Sequence, residues 1–405
     1  MKRSWFYHSP KVKLNSYEEY NNLIKELHDK AFFYVPDNLA HRNGMWHDER
    51  PKFNVKVVTR VKKNGTEETQ IYVFTSVIVD RCIYYLKTGT SGAEALKMVN
   101  QIFKENNGIS LRKAFGVIKE TEVEEFDNYA ARSLGYAEPG KYREMSKADI
   151  SSAYPSAICG RLPDAHDYKV VNGFIEPTKE YPFAFCLKSG HLIIKDELDT
   201  RQFNPFIYEH TGRIIKGKFE PVFKPLNDMD EKTILMRASD FELTPEMNYL
   251  YSEKNNKDSK LDAKGIMNTF IGRLASIKYN KENYQGHLSV VAYSRHLKKM
   301  SDLINSIQHN GGKVKHVIVD CISWTGKMIP ECTKQKSLGA FVLEAERVPY
   351  MIFNRYKYTY LSKGNWIKKG FEKDCRILIN NYKYITEVTE NNKTVWRREN
   401  ESEVF

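Results

Sequence analysis

The pattern of hydrophobic and polar residues predicts helices both early and late in the chain. Apolar residues recur at helical spacing over residues 16–33 and again over residues 291–309. Ser91-Gly92-Ala93-Glu94 has the residue types of a capping box, which predicts a helix that runs through about Glu105. The pattern of residues 257–278 is typical of a further, long helix.

Strand signals lie between these helices. Residues 53–61 and 69–79 alternate apolar and polar side chains on either side of a Lys-Asn-Gly turn, which predicts a β-hairpin. Residues 165–245 are rich in Pro, Gly and aromatic residues and predict short strands joined by loops. The β-branched segment 316–320 predicts a buried strand. The mixture of helices and strands predicts an α+β protein.

Composition restricts the partners and the compartment. At 405 residues the chain is long enough for two or three domains. The net charge of +12 favours a polyanionic partner, although a basic protein without such a partner would carry the same charge. The six cysteines form no C-x-x-C pair, so neither a zinc site nor a disulfide framework is expected. Since no signal-peptide pattern and no apolar run of roughly 20 residues is present, we expect a cytoplasmic protein without membrane contact, in a cell or in an infected host.

One run of the sequence carries the clearest chemical signal, and it extends from Lys147 to Ser156, KADISSAYPS. It puts the carboxylate of Asp149 at the end of a short apolar segment and the ring of Tyr154 shortly after it. An aspartate in that place can hold a hard divalent cation. The backbone that follows can face a triphosphate, and the ring can lie against a sugar.

This run resembles motif A of family B DNA polymerases, D-x-x-S-L-Y-P-S, with alanine in place of leucine. The resemblance implies that Asp149 and the backbone of Ile150 hold metal. It also implies that Tyr154 is a steric gate, whose ring would clash with a 2′-hydroxyl and so favour deoxynucleotides. The backbone expected to bind nucleotide phosphates comprises Ile150, Ser151, Ser152 and Ala153.

Nucleotidyl transfer with two metal ions needs a second carboxylate next to the first. Asp320 supplies one, at the end of an apolar, β-branched run. Taken alone, an aspartate there is typical of a turn at the end of a strand. The segment from His316 to Gly326 resembles motif C of the same family, Y-x-D-T-D-S, which implies that Asp320 is a metal ligand.

Two registers of motif C stay open. In the first, Asp320 matches the first aspartate and Ile322 replaces the metal-binding one, which would leave the enzyme inactive. In the second, Asp320 matches the metal-binding aspartate. We favour the second register because it ends the apolar strand at the charge. It also lets Ile322–Gly326 match the I-x-x-T-G tail that is common in the protein-primed phage branch.

A third motif lies between these two. The segment that begins at Lys264 resembles motif B, K-x-x-x-N-S-x-Y-G, with Ile271 in place of tyrosine. Lys260, Lys264 and Asn268 are four residues apart and would share one helical face towards an incoming nucleotide. Lys264 is expected to stabilise the leaving pyrophosphate, and Gly272 to let a base pair approach the backbone. A solvated lysine face is the alternative.

Cations and aromatic rings alternate beyond motif C. The segment 355–360, RYKYTY, is of a type that tracks phosphates and stacks on bases. Its position resembles the family's K-x-Y element, which implies that the primer–template contacts are Lys357, Tyr358, Tyr360 and Arg355. An exposed amphipathic strand is the alternative.

The resemblance covers about residues 140–370 and implies a right-hand polymerase. This architecture has a palm with an antiparallel sheet, short helical fingers and a small thumb. Residues 1–140 would form an N-terminal α+β domain of unknown role, and they contain no convincing D-x-E of a proofreading exonuclease. The other predicted domains are the palm (141–245 and 291–345), the fingers (246–290) and a thumb with the primer–template region (346–405).

The expected function is template-directed DNA synthesis without proofreading, with two Mg²⁺ ions or with Mn²⁺ in their place. The expected partners are a DNA primer–template and dNTPs, and the resemblance also allows a terminal protein or other replication proteins. A viral or mobile-element origin fits this type of enzyme. Two alternatives stay open: a catalytically degenerate polymerase fold that only binds nucleic acid, and a priming or template-independent nucleotidyltransferase.

Overall fold

The structure is a computed structural model, and it divides the chain into two compact units, Met1–Thr90 and Ser91–Phe405. It describes residues 11–14, 32–34, 46–47, 55–61, 67–73, 76–79, 82–86, 92–119, 121–122, 126, 133–215, 218–256, 258–259, 261–275, 284–327, 332–333, 335–362, 365–369, 376–380, 383–390 and 393–398.

The described strands of the first unit form a five-stranded sheet and a separate hairpin. The strands are β1 (Lys11–Leu14), β2 (Phe32–Tyr34), β3 (Trp46–His47), β4 (Val55–Val61), β5 (Glu67–Val73), β6 (Ser76–Val79) and β7 (Cys82–Leu86). The sheet has the order β1-β7-β6-β2-β3, and only its β1–β7 pair is parallel.

The sequence predictions for this unit are confirmed in part. β4 and β5 pair antiparallel, as the predicted hairpin requires. The second predicted strand is wrong in its bounds, because β5 ends at Val73 and β6 begins at Ser76. The predicted helix over residues 16–33 falls almost entirely outside the described residues. Its end is wrong, because Phe32 and Phe33 pair with β6 as part of a strand.

The second unit mixes helices with antiparallel sheet. Its described helices are α1 (Gly92–Asn107), α2 (Leu111–Phe115), α3 (Ala153–Ala157), α4 (Pro205–His210), α5 (Thr244–Asn255), α6 (Ala263–Leu274) and α7 (Gly286–His309), with a 3₁₀ turn at Thr200–Gln202. Its described strands are β8 (Ser133–Ala137), β9 (Gly140–Ile150), β10 (Pro163–Asn172), β11 (Phe183–Cys186), β12 (His191–Ile194), β13 (Leu198–Asp199), β14 (Thr211–Ile215), β15 (Lys218–Pro221), β16 (Lys232–Ala238), β17 (Lys313–Ile318), β18 (Cys321–Thr325), β19 (Cys332–Thr333), β20 (Phe341–Ile352), β21 (Tyr358–Ser362), β22 (Asn365–Lys369), β23 (Arg376–Asn380), β24 (Lys383–Glu390) and β25 (Lys393–Arg398).

A large sheet organises this unit. Its strand order is β15-β14-β8-β17-β18-β9-β20-β21-β22, and β19 adds to β20 in parallel. The other described pairs of this sheet are antiparallel. β9 therefore lies between β18 and β20, two strands that follow it much later in the chain. The mixed helix and antiparallel-sheet content confirms the α+β prediction.

The two faces of β9 pack against different groups of residues, because successive side chains of a strand point to opposite faces. Ala148 and Ile150 belong to the main hydrophobic core, to which the helices also contribute. Met145 belongs to a smaller cluster with Tyr350 and two further tyrosines from β21. Asp149 alternates with the core residues, so its carboxylate lies on the face opposite the main core.

Two smaller sheets complete the described part of the unit. β10, β16, β11, β12 and β13 form an antiparallel sheet in that order, which confirms the short strands predicted over residues 165–245. β23, β24 and β25 form an antiparallel meander. No described helix is long and apolar enough to cross a membrane.

The three helices predicted in this unit are present, but two of them differ from the predictions in their bounds. α1 matches the helix predicted from the capping box, and α7 ends at His309 as predicted but begins earlier, at Gly286. α1 and α2 lie within the second unit, although the sequence analysis assigned their residues to the N-terminal domain 1–140. The predicted domain boundaries stay a prediction. The long helix over residues 257–278 is wrong at its start, because α6 begins only at Ala263.

The start of α6 has a local physical cause. The Asp262 side chain accepts a hydrogen bond from the Gly265 amide at 3.0 Å, which caps the helix. A Cβ atom at Gly265 would lie 2.1 Å from the Asp262 carboxylate, so the glycine leaves room for the capping group. The cap defines where the helix begins, and Lys264 and Asn268 follow in its first two turns.

We expect Asp262→Ala to lower the free energy of unfolding by about 1 kcal/mol, because the Gly265 amide loses its acceptor. Asp262→Asn keeps an acceptor at the same place and should stay close to the wild type. Urea unfolding followed by circular dichroism measures both. Equal losses in the two variants would contradict the capping role.

Candidate active site

Strand pairing brings the two aspartates of motifs A and C together. β17 and β18 form a hairpin in which Ile318 pairs with Cys321, so Val319 and Asp320 make the turn between them. Cys321 in turn pairs with Asp149 on β9. The Ile150 amide donates to the Asp320 carbonyl at 3.0 Å, and both aspartates line one cleft.

The turn Val319–Asp320, called here the aspartate turn, is strained. The strand ends at Ile318, so the prediction that it continues to Asp320 is wrong. Val319 has a φ of 54°, in the left-handed region that costs an L-residue about 1–2 kcal/mol. Its amide donates to the Leu134 carbonyl of β8 at 3.0 Å. Neighbouring strands therefore hold this turn on both sides.

The register of motif C follows from the same hairpin. Ile322, which the first register would put in the place of a metal ligand, is fully buried and pairs with Ala148. It belongs to the main core and does not line the cleft. This geometry supports the second register, in which Asp320 carries the charge.

Burial and charge repulsion raise the pKa of the two aspartates. Burial is the larger cause and the charge of Asp320 the second, and together they raise the pKa of Asp149 to about 7. Burial likewise raises the pKa of Asp320. Among the described residues, no lysine or arginine forms an ion pair with either carboxylate. A bound cation would offset the cost of holding both in the charged form.

A buried ammonium group lies close to this pair. Lys147 precedes Asp149 by two residues on β9, so the two side chains lie on the same face. It is 2% exposed, forms an ion pair with Glu344 on β20 and lies 5.5 Å from the centroid of the Tyr360 ring. Its charge lowers the pKa of both aspartates, whereas that of Glu344 raises it. Neither Lys147 nor Glu344 is among the site residues predicted from the sequence.

The aspartates open into a cleft of about 780 Å³. Its walls come from the segment after β9, from α5 and α6, from the loop before β20 and from β20–β22. Besides the aspartates, the polar residues that line it are Ser151, Ser152, Tyr154, Tyr251, Lys254, Asn255, Lys264, Asn268, Lys336, Glu344, Tyr360 and Ser362. Motifs A, B and C therefore contribute to one concave surface.

The backbone after Asp149 is only partly available to a ligand. The Ile150 amide donates to Asp320, and the Ser151 amide donates to the Ala340 carbonyl at 2.9 Å. The prediction that the amides from Ile150 onwards bind phosphate is therefore corrected for these two, because they are used inside the protein. The amides of Ser152 and Ala153 stay candidates, and so does the Ile150 carbonyl as a metal ligand.

Helix α6 presents one polar face to the cleft. Lys264 and Asn268 are both exposed, lie one turn apart and line the cleft. Gly272 continues the same face and is exposed, and among the described residues no atom outside its chain neighbours and the nearby helix backbone lies within 4 Å of the place of a Cβ. Lys260 lies outside the described residues, so its predicted place on the same face stays a prediction.

The tyrosine of motif B is replaced by a residue that faces away from the cleft. Ile271 is 1% exposed and belongs to the main core. Its carbonyl accepts a hydrogen bond from Ser289 of α7 at 2.7 Å. The Ile271 side chain therefore anchors α6 and has no direct contact with the space in front of Asn268.

Lys254 and Lys336 are cleft residues that the sequence analysis missed. Lys254 on α5 donates to the Ser152 hydroxyl at 2.9 Å, and the hydroxyls of Tyr251 and Ser151 lie 3.0 Å apart. Burial lowers the pKa of Lys254, and the charges of Lys264 and Lys336 lower it further. No sequence motif marks either lysine, since each reaches the cleft only through the packing of distant segments.

Tyr154 is held by aromatic contacts. It lies on α3, and its ring makes edge contacts with Tyr293 and His296 of α7, each at a centroid distance of 4.9 Å. Burial raises the pKa of Tyr154, so its hydroxyl stays protonated at neutral pH. The ring lines the cleft close to Asp320, and its role as a steric gate stays a prediction.

Two of the four predicted primer–template residues are used inside the protein. Arg355 donates to the Ser133 hydroxyl at 2.7 Å and to the Leu134 carbonyl at 3.0 Å, so it stabilises β8. Tyr358 is 6% exposed and stacks on Tyr350. The Arg355 and Tyr358 side chains are therefore engaged inside the protein, and the contact of all four residues with a nucleic acid stays a prediction.

The other two residues of that group are accessible at different places. Tyr360 lines the cleft. Lys357 is exposed in the loop between β20 and β21, where its carbonyl accepts the amides of Phe353 and Asn354. Lys357 therefore stays a candidate for a phosphate contact outside the cleft.

The donor set of the cleft fits hard divalent cations. Two adjacent carboxylates in an open cleft supply the oxygen ligands that Mg²⁺ prefers, with room left for water and for substrate phosphates. Within the described residues, no group of three or more His, Cys, Asp or Glu side chains is arranged to hold a metal ion. Among the described residues, Asp149 and Asp320 are therefore the side chains that would hold an ion, with the Ile150 carbonyl and substrate phosphates as further candidate ligands.

Comparison with known proteins gives low similarity. No protein-family model and no curated protein matches the chain. Among solved structures it is similar to phi29 DNA polymerase complexed with primer-template DNA, with a TM-score of 0.49 and 15% identity over 69% of this chain and 57% of that chain. The phi29 ternary complex with incoming nucleotides gives a TM-score of 0.49 and 14% identity over 76% and 66% of the two chains. The family B DNA polymerase of the archaeon Pyrobaculum calidifontis gives a TM-score of 0.32 and 13% identity over 60% and 29%.

The chain spans 57% of the length of the phi29 polymerase in its primer-template complex. None of these similarities reaches a TM-score of 0.5, so the function has to be argued from the residues of the cleft.

The raised pKa of Asp149 predicts a pH dependence of stability in metal-free buffer. Its pKa is about 7 in the folded chain and about 4 in an unfolded one, so its contribution to stability is present below about pH 4 and is lost as the pH rises through 7. We expect the free energy of unfolding to fall more steeply between pH 4 and pH 7 in the wild type than in Asp149→Asn. Urea unfolding with a chelator present measures both slopes, and identical slopes would contradict the assigned pKa.

Proposed function

We propose that this chain is a family B type DNA polymerase that transfers deoxynucleotides to a primer 3′-hydroxyl. The single observation that carries the proposal is the meeting of Asp149 and Asp320 in one cleft, although the sequence separates them widely. Lys264 and Asn268 line the same cleft, so residues of all three motifs converge. That convergence is what two-metal nucleotidyl transfer requires.

Each residue of the cleft has a role in this proposal. Asp149 and Asp320 would hold two Mg²⁺ ions, or Mn²⁺ in their place. When bound, such ions activate the 3′-hydroxyl and stabilise the charge on the leaving pyrophosphate. Lys264 and Lys254 lie where they can neutralise the triphosphate, and Asn268 lies one turn beyond Lys264 to orient the nucleotide.

The reaction exchanges a phosphoanhydride bond of the triphosphate for a phosphodiester bond. The 3′-oxygen of the primer forms a bond to the α-phosphorus, and the bond from that phosphorus to the bridging oxygen of the β-phosphate breaks. The hydroxyl proton leaves to solvent. Cations around the triphosphate favour this step because charge moves onto the pyrophosphate as the bond breaks.

The right-hand architecture is part of the proposal. The large sheet with β9, β17, β18 and β20 would be the palm, residues 246–290 the fingers and residues 346–405 the thumb. The absence of proofreading, the DNA primer–template as partner and a viral or mobile-element origin also remain proposals. The net charge of +12 supports a polyanionic partner.

The catalytically degenerate alternative is not favoured. A polymerase fold that only binds nucleic acid would have no need to keep two repelling carboxylates together, since that costs stability. The template-independent alternative differs in its products alone. An assay with a template that codes for one nucleotide distinguishes the two. A template-directed enzyme would then incorporate only the complementary dNTP, whereas a template-independent enzyme would also incorporate the others.

We expect both Asp149→Asn and Asp320→Asn to abolish primer extension, because the neutral amides no longer hold the metal ions. Extension of a labelled primer–template with Mg²⁺ measures this, and a gel-shift assay checks that DNA binding is retained. Asp302→Asn is the matched control, because Asp302 is exposed on α7 and pairs with Lys298 away from the cleft. Activity in either cleft variant would refute the proposal.

We expect Tyr154→Ala to admit ribonucleotides, because the space under the sugar is then open to a 2′-hydroxyl. The ratio of kcat/KM for a deoxynucleotide over its ribonucleotide should fall by at least about tenfold. Tyr154→Phe keeps the ring and should keep the ratio. Single-nucleotide extension measures it, and an unchanged ratio in Tyr154→Ala would remove the steric-gate role.

A further inference from the structure

The aspartate turn has a third anchor behind the cleft. His296 lies on α7 and is 2% exposed. Its Nε2–H donates to the Val319 carbonyl at 3.1 Å. The amide of Val319 is held by Leu134, and the carbonyl of Asp320 by Ile150, so His296 completes the set of hydrogen bonds that fix this turn.

The same imidazole contacts the proposed steric gate. Its ring makes an edge contact with the Tyr154 ring at a centroid distance of 4.9 Å and an interplanar angle of 62°. One buried side chain therefore touches the backbone next to Asp320 and the ring of Tyr154. Among the described contacts, this residue is the direct link between the metal-binding turn and the sugar-facing ring.

The chemistry of the ring suits a fixed link. Burial lowers the pKa of His296 to about 4, so the imidazole is neutral at pH 7 and has a single N–H. That N–H is the Nε2–H given to Val319, whereas Nδ1 is buried without a hydrogen-bond partner. Chain packing, and not a second hydrogen bond, thus determines the position of the ring.

We propose that His296 is a positioning residue that holds the Asp320 carboxylate through the Val319 carbonyl and the Tyr154 ring through its imidazole edge. The part of this inference that concerns DNA synthesis rests on the proposed function. The two contacts use different parts of the side chain, a hydrogen-bond donor and a ring surface. They can therefore be removed separately.

Loss of the donor should release the aspartate turn. Val319 is a β-branched residue in the left-handed region, a conformation that persists only where its surroundings impose it. Without the hydrogen bond from His296, the Val319 carbonyl is unpaired on that side and the turn can relax. Asp320 would then be less well placed opposite Asp149.

The chain offers a matched control on the same helix. His287 is fully buried on α7, and its Nε2–H donates to the Phe115 carbonyl at 3.1 Å. Its Nδ1 is also buried without a partner, and burial likewise lowers its pKa to about 4. His287 does not line the cleft. The two histidines are thus similarly buried, but only His296 contacts the aspartate turn and Tyr154.

The experiment compares His296→Phe, His296→Gln and His287→Phe in the full chain. Phenylalanine keeps a ring against Tyr154 but has no donor, whereas the glutamine amide can reach the Val319 carbonyl but has no ring. The first readout is Mn²⁺ affinity of the protein without DNA, measured by titration calorimetry. The second is the ratio of deoxynucleotide to ribonucleotide incorporation. Thermal unfolding is measured for every variant.

We expect His296→Phe to weaken Mn²⁺ binding by about tenfold or more, as loss of a partner behind a metal ligand does, while sugar selection is retained. His296→Gln should bind Mn²⁺ close to the wild type but discriminate less against ribonucleotides. His287→Phe should lose stability without a change in either readout. This crossed pattern is not expected of a residue that only fills the core.

Equal Mn²⁺ affinities in His296→Phe and His287→Phe, at comparable stability, would overturn the inference. If His296→Phe does not fold, His296→Asn takes its place, because the shorter asparagine side chain cannot reach Val319. Equal Mn²⁺ affinities in His296→Asn and His296→Gln would then overturn the inference. If the wild type extends no primer, the proposed function fails, but the Mn²⁺ comparison still decides whether His296 positions Asp320.

Discussion

The structure depends on holding two like charges together. Backbone pairing between β9 and β18 puts Asp320 beside Asp149, and the hydrogen bond from the Ile150 amide prevents the turn from moving away. Neither carboxylate has an ion-pair partner among the described residues, and burial adds to the cost of charging them. A fold that imposes this arrangement is suited to a site in which cations supply the missing attraction.

Both strands and a helix position the two aspartates. The strands fix the backbone of both aspartates, while α7 packs behind the cleft and contacts the aspartate turn and Tyr154 through one residue. Lys147 adds a permanent positive charge on the same face of β9, paired with Glu344. The cleft therefore combines a hydrogen-bonded backbone around the aspartates with three lysines in its lining, Lys254, Lys264 and Lys336, which suits a polyanionic ligand.

Sequence reasoning could predict the parts of the site that local pattern determines. Asp320 follows an apolar, β-branched run, and the motifs that Asp149 and Asp320 resemble imply neighbouring strands, so their meeting was predictable. Lys254 could not be found, because it reaches Ser152 only through the packing of α5 on a distant loop. Likewise, periodicity alone made α6 too long, since the cap by Asp262 depends on geometry that a count of apolar positions does not contain.

The strand order of the large sheet has a consequence for biosynthesis. β9 lies between β18 and β20, and both of these strands are synthesised long after β9. Both edges of β9 are therefore unpaired until the later segments have left the ribosome. Until then, its backbone N–H and C=O groups can pair with other chains, which is an aggregation hazard for a nascent polypeptide. Such non-local pairing also makes folding slow. The pairing of β9 is therefore completed only late in synthesis of the chain.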